Sequence, residues 1–202
     1  MIQLIIATGN KGKVRDFQCI FESVGLDIEM SPVSDWVEME EVDETGTTFE
    51  ANARIKADAT KSALSKHPDV WVVADDSGIA VDALDGKPGV HSARFAGPTA
   101  TDEDNRNQLL KALEGLPETE RGASFVCNLC LIDPQGSVFH FEATCSGVIS
   151  DVPKGDNGFG YDPLFIQEGT SLTWGERSTE KKTQDNHRAR AVRLLIQHFQ
   201  NL

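Results

Sequence analysis

The sequence predicts an α/β protein with a mixed central sheet and flanking helices. Three observations carry that expectation. Strand-like and helix-like periodicities alternate from Gln3 to Gly115, the pattern of strands joined through helices. A hairpin pattern then runs from Ala123 to Cys145, which makes part of the sheet antiparallel. The 202 residues, 39% apolar and 25% charged, suit one packed domain over 1–202 and are too few for two independent ones.

Taken in order, Gln3 to Ala7 is an extended apolar run that closes on Thr8-Gly9-Asn10. Val14, Phe17, Ile20, Phe21 and Val24 then recur at helical spacing until Gly25. Leu26 to Met30 is a second extended piece, followed by an acidic, structure-poor stretch from Ser31 to Glu44. A connection of that length inside a compact domain usually carries function. Thr47 and Glu50 have capping-box spacing, and Phe49, Ala53, Ala57 and Leu64 place an apolar stripe on a helix reaching about Lys66. Val70 to Ala74 reads as a buried strand that stops at Asp75-Asp76-Ser77-Gly78. Thr101 and Asp104 form a second capping box, opening a helix through Leu109, Leu110 and Leu113. Asp133-Pro-Gln-Gly136 turns the hairpin. Gly155-Asp-Asn-Gly-Phe-Gly-Tyr-Asp-Pro163 is glycine-rich, and a last helix spans His187 to Gln200 with Ala191, Val192, Leu195 and Phe199 on one face.

A formal charge of −13 excludes a protein that holds nucleic acid by neutralising its phosphates, because that mode needs a basic face. A small polyanion could still be held, given a local cluster of Lys and Arg or a bound cation. Lys181, Lys182, His187, Arg188, Arg190 and Arg193 supply such a cluster. Of the four cysteines, Cys127 and Cys130 alone have metal-like spacing. They sit in an apolar strand-like run with no second pair, so they read as buried free thiols. The first residues lack a basic flank, and no apolar run approaches the length that crosses a bilayer. A cytoplasmic, reduced protein without membrane contact is expected.

Two local patterns suggest phosphate chemistry. Thr8-Gly9-Asn10-Lys11-Gly12-Lys13 lies between strand and helix. Backbone N–H groups at a helix N-terminus attract anions, glycines permit close approach, and the lysines add charge. It is not a Walker A loop. Asp75 and Asp76 end a hydrophobic strand, where adjacent carboxylates suit Mg²⁺ and a base that activates water. Neighbours on a strand face opposite ways, so the two should have different tasks. A third carboxylate comes from the acidic loop, where spacing alone does not choose among Glu38, Glu40, Glu41, Asp43 and Glu44. Gly158-Phe-Gly-Tyr-Asp-Pro163 offers flexible backbone and two aromatic rings for a stacked base.

Thr8-Gly-Asn-x-x-Lys13, Glu44-Thr-Gly-x-Thr-Phe49 with Asn52-Ala53 and Lys56-Ala57, Ala74-Asp-Asp-Ser-Gly78, Pro88-Gly-x-x-Ser-Ala-Arg94, Gly158-Phe-Gly-Tyr-Asp-Pro163 and His187-Arg188 together resemble the ordered signatures of the inosine triphosphate pyrophosphatases. The resemblance implies an elongated two-lobed domain with a nucleotide cleft between the lobes, usually as a homodimer. It also implies Mg²⁺-assisted attack of water at the α-phosphorus of ITP, dITP or XTP, releasing pyrophosphate. By the same resemblance Thr8, Gly9, Asn10, Lys11, Gly12 and Lys13 hold phosphates, Glu44 and Asp76 serve the metal with Asp75 in support, and Asp76 is also the base. Ser77 contacts substrate, Phe159, Gly160, Tyr161 and Asp162 hold base and sugar, Lys182 meets the phosphates, and His187 and Arg188 lie near the purine. The chain departs from the family pattern at Ala51, commonly Glu, and at Lys181-Lys182-Thr183, where Lys181 competes with Lys182 for the family's lysine. Two other readings share some of these features. A Maf-like pyrophosphatase would prefer pyrimidine or modified nucleotides, and a non-catalytic nucleotide sensor would have no need of Glu44, Asp75 and Asp76 together.

Overall fold

The computed structural model describes residues 2–9, 11–22, 26–40 and 42–202, with only the backbone given for Lys11, Cys19, Glu22 and Thr183. Asn10, the Lys11 side chain, Val24, Gly25 and Glu41, which all entered the reading above, lie outside the described residues. Among the described residues β1 (Ile2–Ile6), β2 (Ile28–Pro32), β3 (Trp71–Val81), β4 (Gly122–Ile132), β5 (Val138–Ile149) and β6 (Phe165–Gln167) form one sheet in the order β2-β1-β3-β4-β5-β6. β1 pairs in parallel with both β2 and β3, with Leu4 opposite Met30 and Trp71. β5 pairs antiparallel with β6. The α/β class with a mixed sheet is therefore present as expected. The helices are α1 (Lys11–Glu22), α2 (Phe49–Ala63), α3 (Asp102–Ala112), α4 (Thr179–Thr183) and α5 (His187–Gln200). No described helix is long and apolar enough to cross a membrane.

The chain divides into two compact units, one of Met1–Asp76, Cys127–Ala143 and Arg188–Leu202, the other of Ser77–Val126 and Thr144–His187. In the first, the period of two along each strand sorts side chains into two layers. Leu4, Ile6, Val73, Cys127, Leu129 and Leu131 pack with Phe17, Ile20 and Phe21 of α1 and with Ala189, Val192 and Leu195 of α5. Ile5, Ala7, Val72, Ala74, Cys130 and Ile132 pack with Ala53 and Ala57 of α2. The hairpin turn follows its sequence signal. Gly136 takes φ +88°, its N–H bonds the Asp133 carbonyl, and the Asp133 carboxylate accepts from the Ser137 N–H at 2.7 Å. The second unit has its own core of Ile79, Val81, Leu109, Leu113, Phe125, Ile149, Leu164, Phe165 and Trp174. There α3 begins at the capping box of Thr101 and Asp104.

Two expectations are corrected. β3 does not stop before Asp75 but runs through Asp75-Asp76-Ser77-Gly78 to Val81. The acidic pair reads locally as a turn, yet both carboxylates meet cations from remote helices, and Ile79 and Val81 resume the buried alternation. The N-cap of α2 is Thr48, whose hydroxyl accepts from the Ala51 N–H at 3.1 Å, not Thr47.

Cys127 and Cys130, three positions apart on one strand, face opposite layers and cannot share a metal. With Cys145 they are buried free thiols. Burial pushes the Cys130 thiol up to about 12, and burial plus the nearby Asp75 carboxylate pushes Cys127 well above the usual thiol range. Since the thiolate is the nucleophile, iodoacetamide at mildly alkaline pH should leave both unmodified in native protein and label both after unfolding, as read by peptide mass spectrometry. Native-state labelling of either would contradict this burial.

Candidate active site

The alternation of β3 aims consecutive carboxylates at different helices. Asp75, 1% exposed, faces the α1 and α5 layer. Its Oδ1 accepts from Lys13 Nζ and its Oδ2 from Arg188 Nε, both at 2.7 Å. Arg188, 2% exposed, extends the chain of charges by donating from Nη1 to Asp16 Oδ2 at 2.6 Å. Burial alone would raise the Asp75 carboxyl, but the Lys13 ammonium and Arg188 guanidinium outweigh it and hold the group well below the carboxylate range. Burial likewise works against the Arg188 cation, and Asp75 and Asp16 more than offset it, so its pKa is raised.

Asp76, 5% exposed, faces α2. Its Oδ1 accepts from Lys56 Nζ at 2.7 Å, and the same ammonium reaches Glu44 Oε1 at 2.8 Å. Asp76 Oδ2 is buried and has no hydrogen-bond partner among the described residues, a costly condition for a carboxylate oxygen. Burial, with the Glu44 charge adding to it, raises the Asp76 pKa despite Lys56. Lys56 stays a cation. Burial opposes its charge, but Asp76 and Glu44 raise its pKa overall. Of the described acidic-loop candidates, Glu38, Glu40 and Asp43 are exposed to solvent, while Glu44 is half-buried and tied to Asp76 through Lys56. Glu44 and Asp76 are thus brought together, and Asp75 is turned away. No group of three or more His, Cys, Asp and Glu placed to hold a metal forms among the described residues.

Thr8 and exposed Gly9 lie between β1 and the N-terminus of α1, where no atom of the described residues would obstruct a Cβ at Gly9. Gly12 and Lys13 fall in the first turn of α1. The Gly46 N–H is anchored by Asn52 Oδ1 at 2.8 Å, and a Cβ at Gly46 would meet that oxygen at 2.6 Å. A glycine is therefore required where the loop carrying Glu44 joins α2.

In the second unit, Ser77 follows Asp76 along β3. Asp162 Oδ2 accepts from the Phe159 N–H at 2.8 Å and from Lys182 Nζ at 2.6 Å. Gly158, at φ +83°, lies so close to that carboxylate that no Cβ fits. Lys182 is buried, with its ammonium 5.0 Å from the Phe159 ring centre and 5.6 Å from that of Trp174, while Lys181 is exposed. The two candidate rings differ. Tyr161 is 4% exposed and donates its hydroxyl to the Ser92 carbonyl at 2.8 Å, whereas Phe159 is 39% exposed. Gly160 has both backbone groups engaged, its N–H on Asp102 Oδ2 at 2.7 Å and its carbonyl on Arg106 Nη1 at 2.8 Å. His187 stacks on Phe125 at 4.9 Å and on Trp174 at 5.6 Å.

Sequence reasoning passed over Lys56 as a site residue, and Asp16, Asp102, Arg106 and Trp174 altogether. A signal existed for two of them. Lys56 interrupts the α2 stripe of Ala53, Ala57 and Thr60, and Asp16 adjoins Phe17 on α1, so each is a charge on the buried face of a helix.

The sequence matches the Ham1 family over residues 4–198. It is 45% identical to the dITP/XTP pyrophosphatase of Listeria monocytogenes over 96% of this chain and 93% of that protein, and 47% identical to the one from Exiguobacterium over 96% and 95%. Among solved structures, the Staphylococcus aureus Ham1 protein superposes with a TM-score of 0.86 at 40% identity, covering 98% of both chains. With the signature residues distributed from β1 to α5 and the likeness extending over nearly the whole length, the chain belongs to the Ham1 family.

Proposed function

We propose that the chain hydrolyses damaged purine nucleoside triphosphates, ITP, dITP and XTP, to the monophosphate and pyrophosphate, with residues 1–202 working as one catalytic domain. Relatives named dITP/XTP pyrophosphatases support the substrate class. The observation that carries the chemistry is Asp76, a buried carboxylate with a raised pKa and one oxygen lacking a partner, held beside Glu44 by Lys56.

An all-oxygen donor set suits a hard cation, and the unpartnered Asp76 oxygen together with Glu44 fits Mg²⁺. When bound there, Mg²⁺ would supply charge neutralisation for the phosphates. Both oxygens of Asp75 are engaged by Lys13 and Arg188, so its support to the metal site is indirect, through the position of β3. Asp76 takes the proton from water as the water oxygen bonds to the α-phosphorus. The α-phosphorus to bridging-oxygen bond breaks, and pyrophosphate leaves with the electron pair. The Thr8 to Lys13 segment holds phosphate at the start of α1, with Ser77 beside the reacting group. Phe159 stacks on the base, backed by Asp162, Lys182 and His187. Gly160 and Tyr161 anchor the backbone that carries Phe159, and Arg188 fixes Asp75.

The test is pyrophosphate release from ITP with Mg²⁺, expected to vanish with EDTA and to return on adding metal. Activity indifferent to EDTA would remove the metal from the proposal. The family resemblance also leads us to propose a cytoplasmic homodimer, the commonest closed assembly. Light scattering should give twice the 22.1 kDa chain mass, and a monomer mass at micromolar concentration would reject it.

A further inference from the structure

We infer that Asp102 and Arg106 of α3 are positioning residues that clasp the Gly160 peptide and so hold Phe159 as a preset platform for the base. The inference rests on the reading of Phe159 as the stacking ring. Asp102 and Arg106 are one helical turn apart and therefore share a face of α3. The carboxylate of the first accepts the Gly160 N–H at 2.7 Å, and the guanidinium of the second donates to the Gly160 carbonyl at 2.8 Å. Gly160 sits at φ +58°, with nothing near the position a Cβ would take. Its glycine thus answers a backbone demand rather than a steric one.

The helix that does the clasping is itself fixed. Its N-terminus is closed by the Thr101 and Asp104 capping box. Buried Asn105 accepts from the Ala96 N–H at 2.8 Å and donates to the Ala93 carbonyl at 3.0 Å, and Leu109 lies in the core. The rest of the turn is pinned from the other side, by Asp162 on the Phe159 N–H and by the Tyr161 hydroxyl on Ser92. Its backbone is held on two sides while the Phe159 ring remains open to solvent. An aromatic ring on an immobilised loop binds without first having to order that loop, which is how preorganisation lowers the cost of binding. Asp102 is itself exposed, so its loss should affect the turn more than the fold.

Asp102→Ala and Arg106→Ala should each raise KM for ITP roughly fivefold to thirtyfold, the range of a charge-assisted hydrogen bond partly open to water. kcat should fall much less, and the melting temperature should stay near that of the parent. Arg106→Lys, which keeps a donor, should recover part of the loss. Inorganic tripolyphosphate has no base, so its inhibition constant should not move. The inference is overturned if KM stays at the parental value in both alanine variants while Phe159→Ala raises it. It is also overturned if tripolyphosphate inhibition weakens in step with KM, since that reports general loosening of the site. If Phe159→Ala leaves KM unchanged, the stacking role itself fails and the clasp loses its purpose.

Discussion

Asp76→Asn is expected to lower kcat for ITP by about 10²-fold or more, the usual scale of a general base that also serves a metal. The amide keeps the size of the side chain and an acceptor for Lys56, so the loop bearing Glu44 should stay in place. Binding of ITP, measured by calorimetry on the variant, should therefore change little. The neighbouring carboxylate cannot take over. Asp75 is held well below its ordinary range by Lys13 and Arg188, which makes it a weak base, and strand geometry turns it toward the other helix layer. A variant within about threefold of parental kcat would show that the proton goes elsewhere.

The second large effect belongs to Arg188→Ala, and it is one of stability. The resemblance put Arg188 near the purine, where a donor would favour a 6-oxo base over adenine. In the structure its Nε and Nη1 are committed to Asp75 and Asp16, all three buried. Removing one member of such a network strands the opposite charges and costs about 3–5 kcal/mol, a large part of the 5–15 kcal/mol that holds a typical domain. Urea denaturation should show that loss. Arg188→Lys should be intermediate, because a point charge cannot reproduce two separate guanidinium contacts. If Arg188→Ala is as stable as the parent but has a smaller ITP/ATP ratio of kcat/KM, Arg188 is a base-reading residue and not a brace. Backbone N–H groups of the glycine-rich segment are largely spent as well. Those of Asn157, Phe159 and Gly160 bond within the protein.

Local signals made α5, the hairpin and the α3 cap legible, because apolar spacing, Asp-Pro-Gln-Gly and Thr-x-x-Asp each act within a few residues. The continuation of β3 was not legible. Asp-Asp-Ser-Gly lies inside the strand, and Lys13, Lys56 and Arg188, which neutralise its carboxylates there, are remote in sequence. The same reason hid the different surroundings of Asp75 and Asp76. Alternation predicts that they diverge but not what each will meet. The motif Gly-Phe-Gly-Tyr-Asp flagged two rings alike, and only packing distinguishes the buried Tyr161 from the open Phe159. Spacing alone left Glu44 among equals in the acidic loop; the family motif singled it out, and Lys56 ties it to Asp76.

The most direct test of the central claim is product analysis of ITP hydrolysis in ¹⁸O-water. Attack at the α-phosphorus predicts IMP carrying the label and unlabelled pyrophosphate in equal amounts, with ATP turned over far more slowly. Labelled inorganic phosphate together with IDP would place the attack at the γ-phosphorus and contradict the proposed reaction.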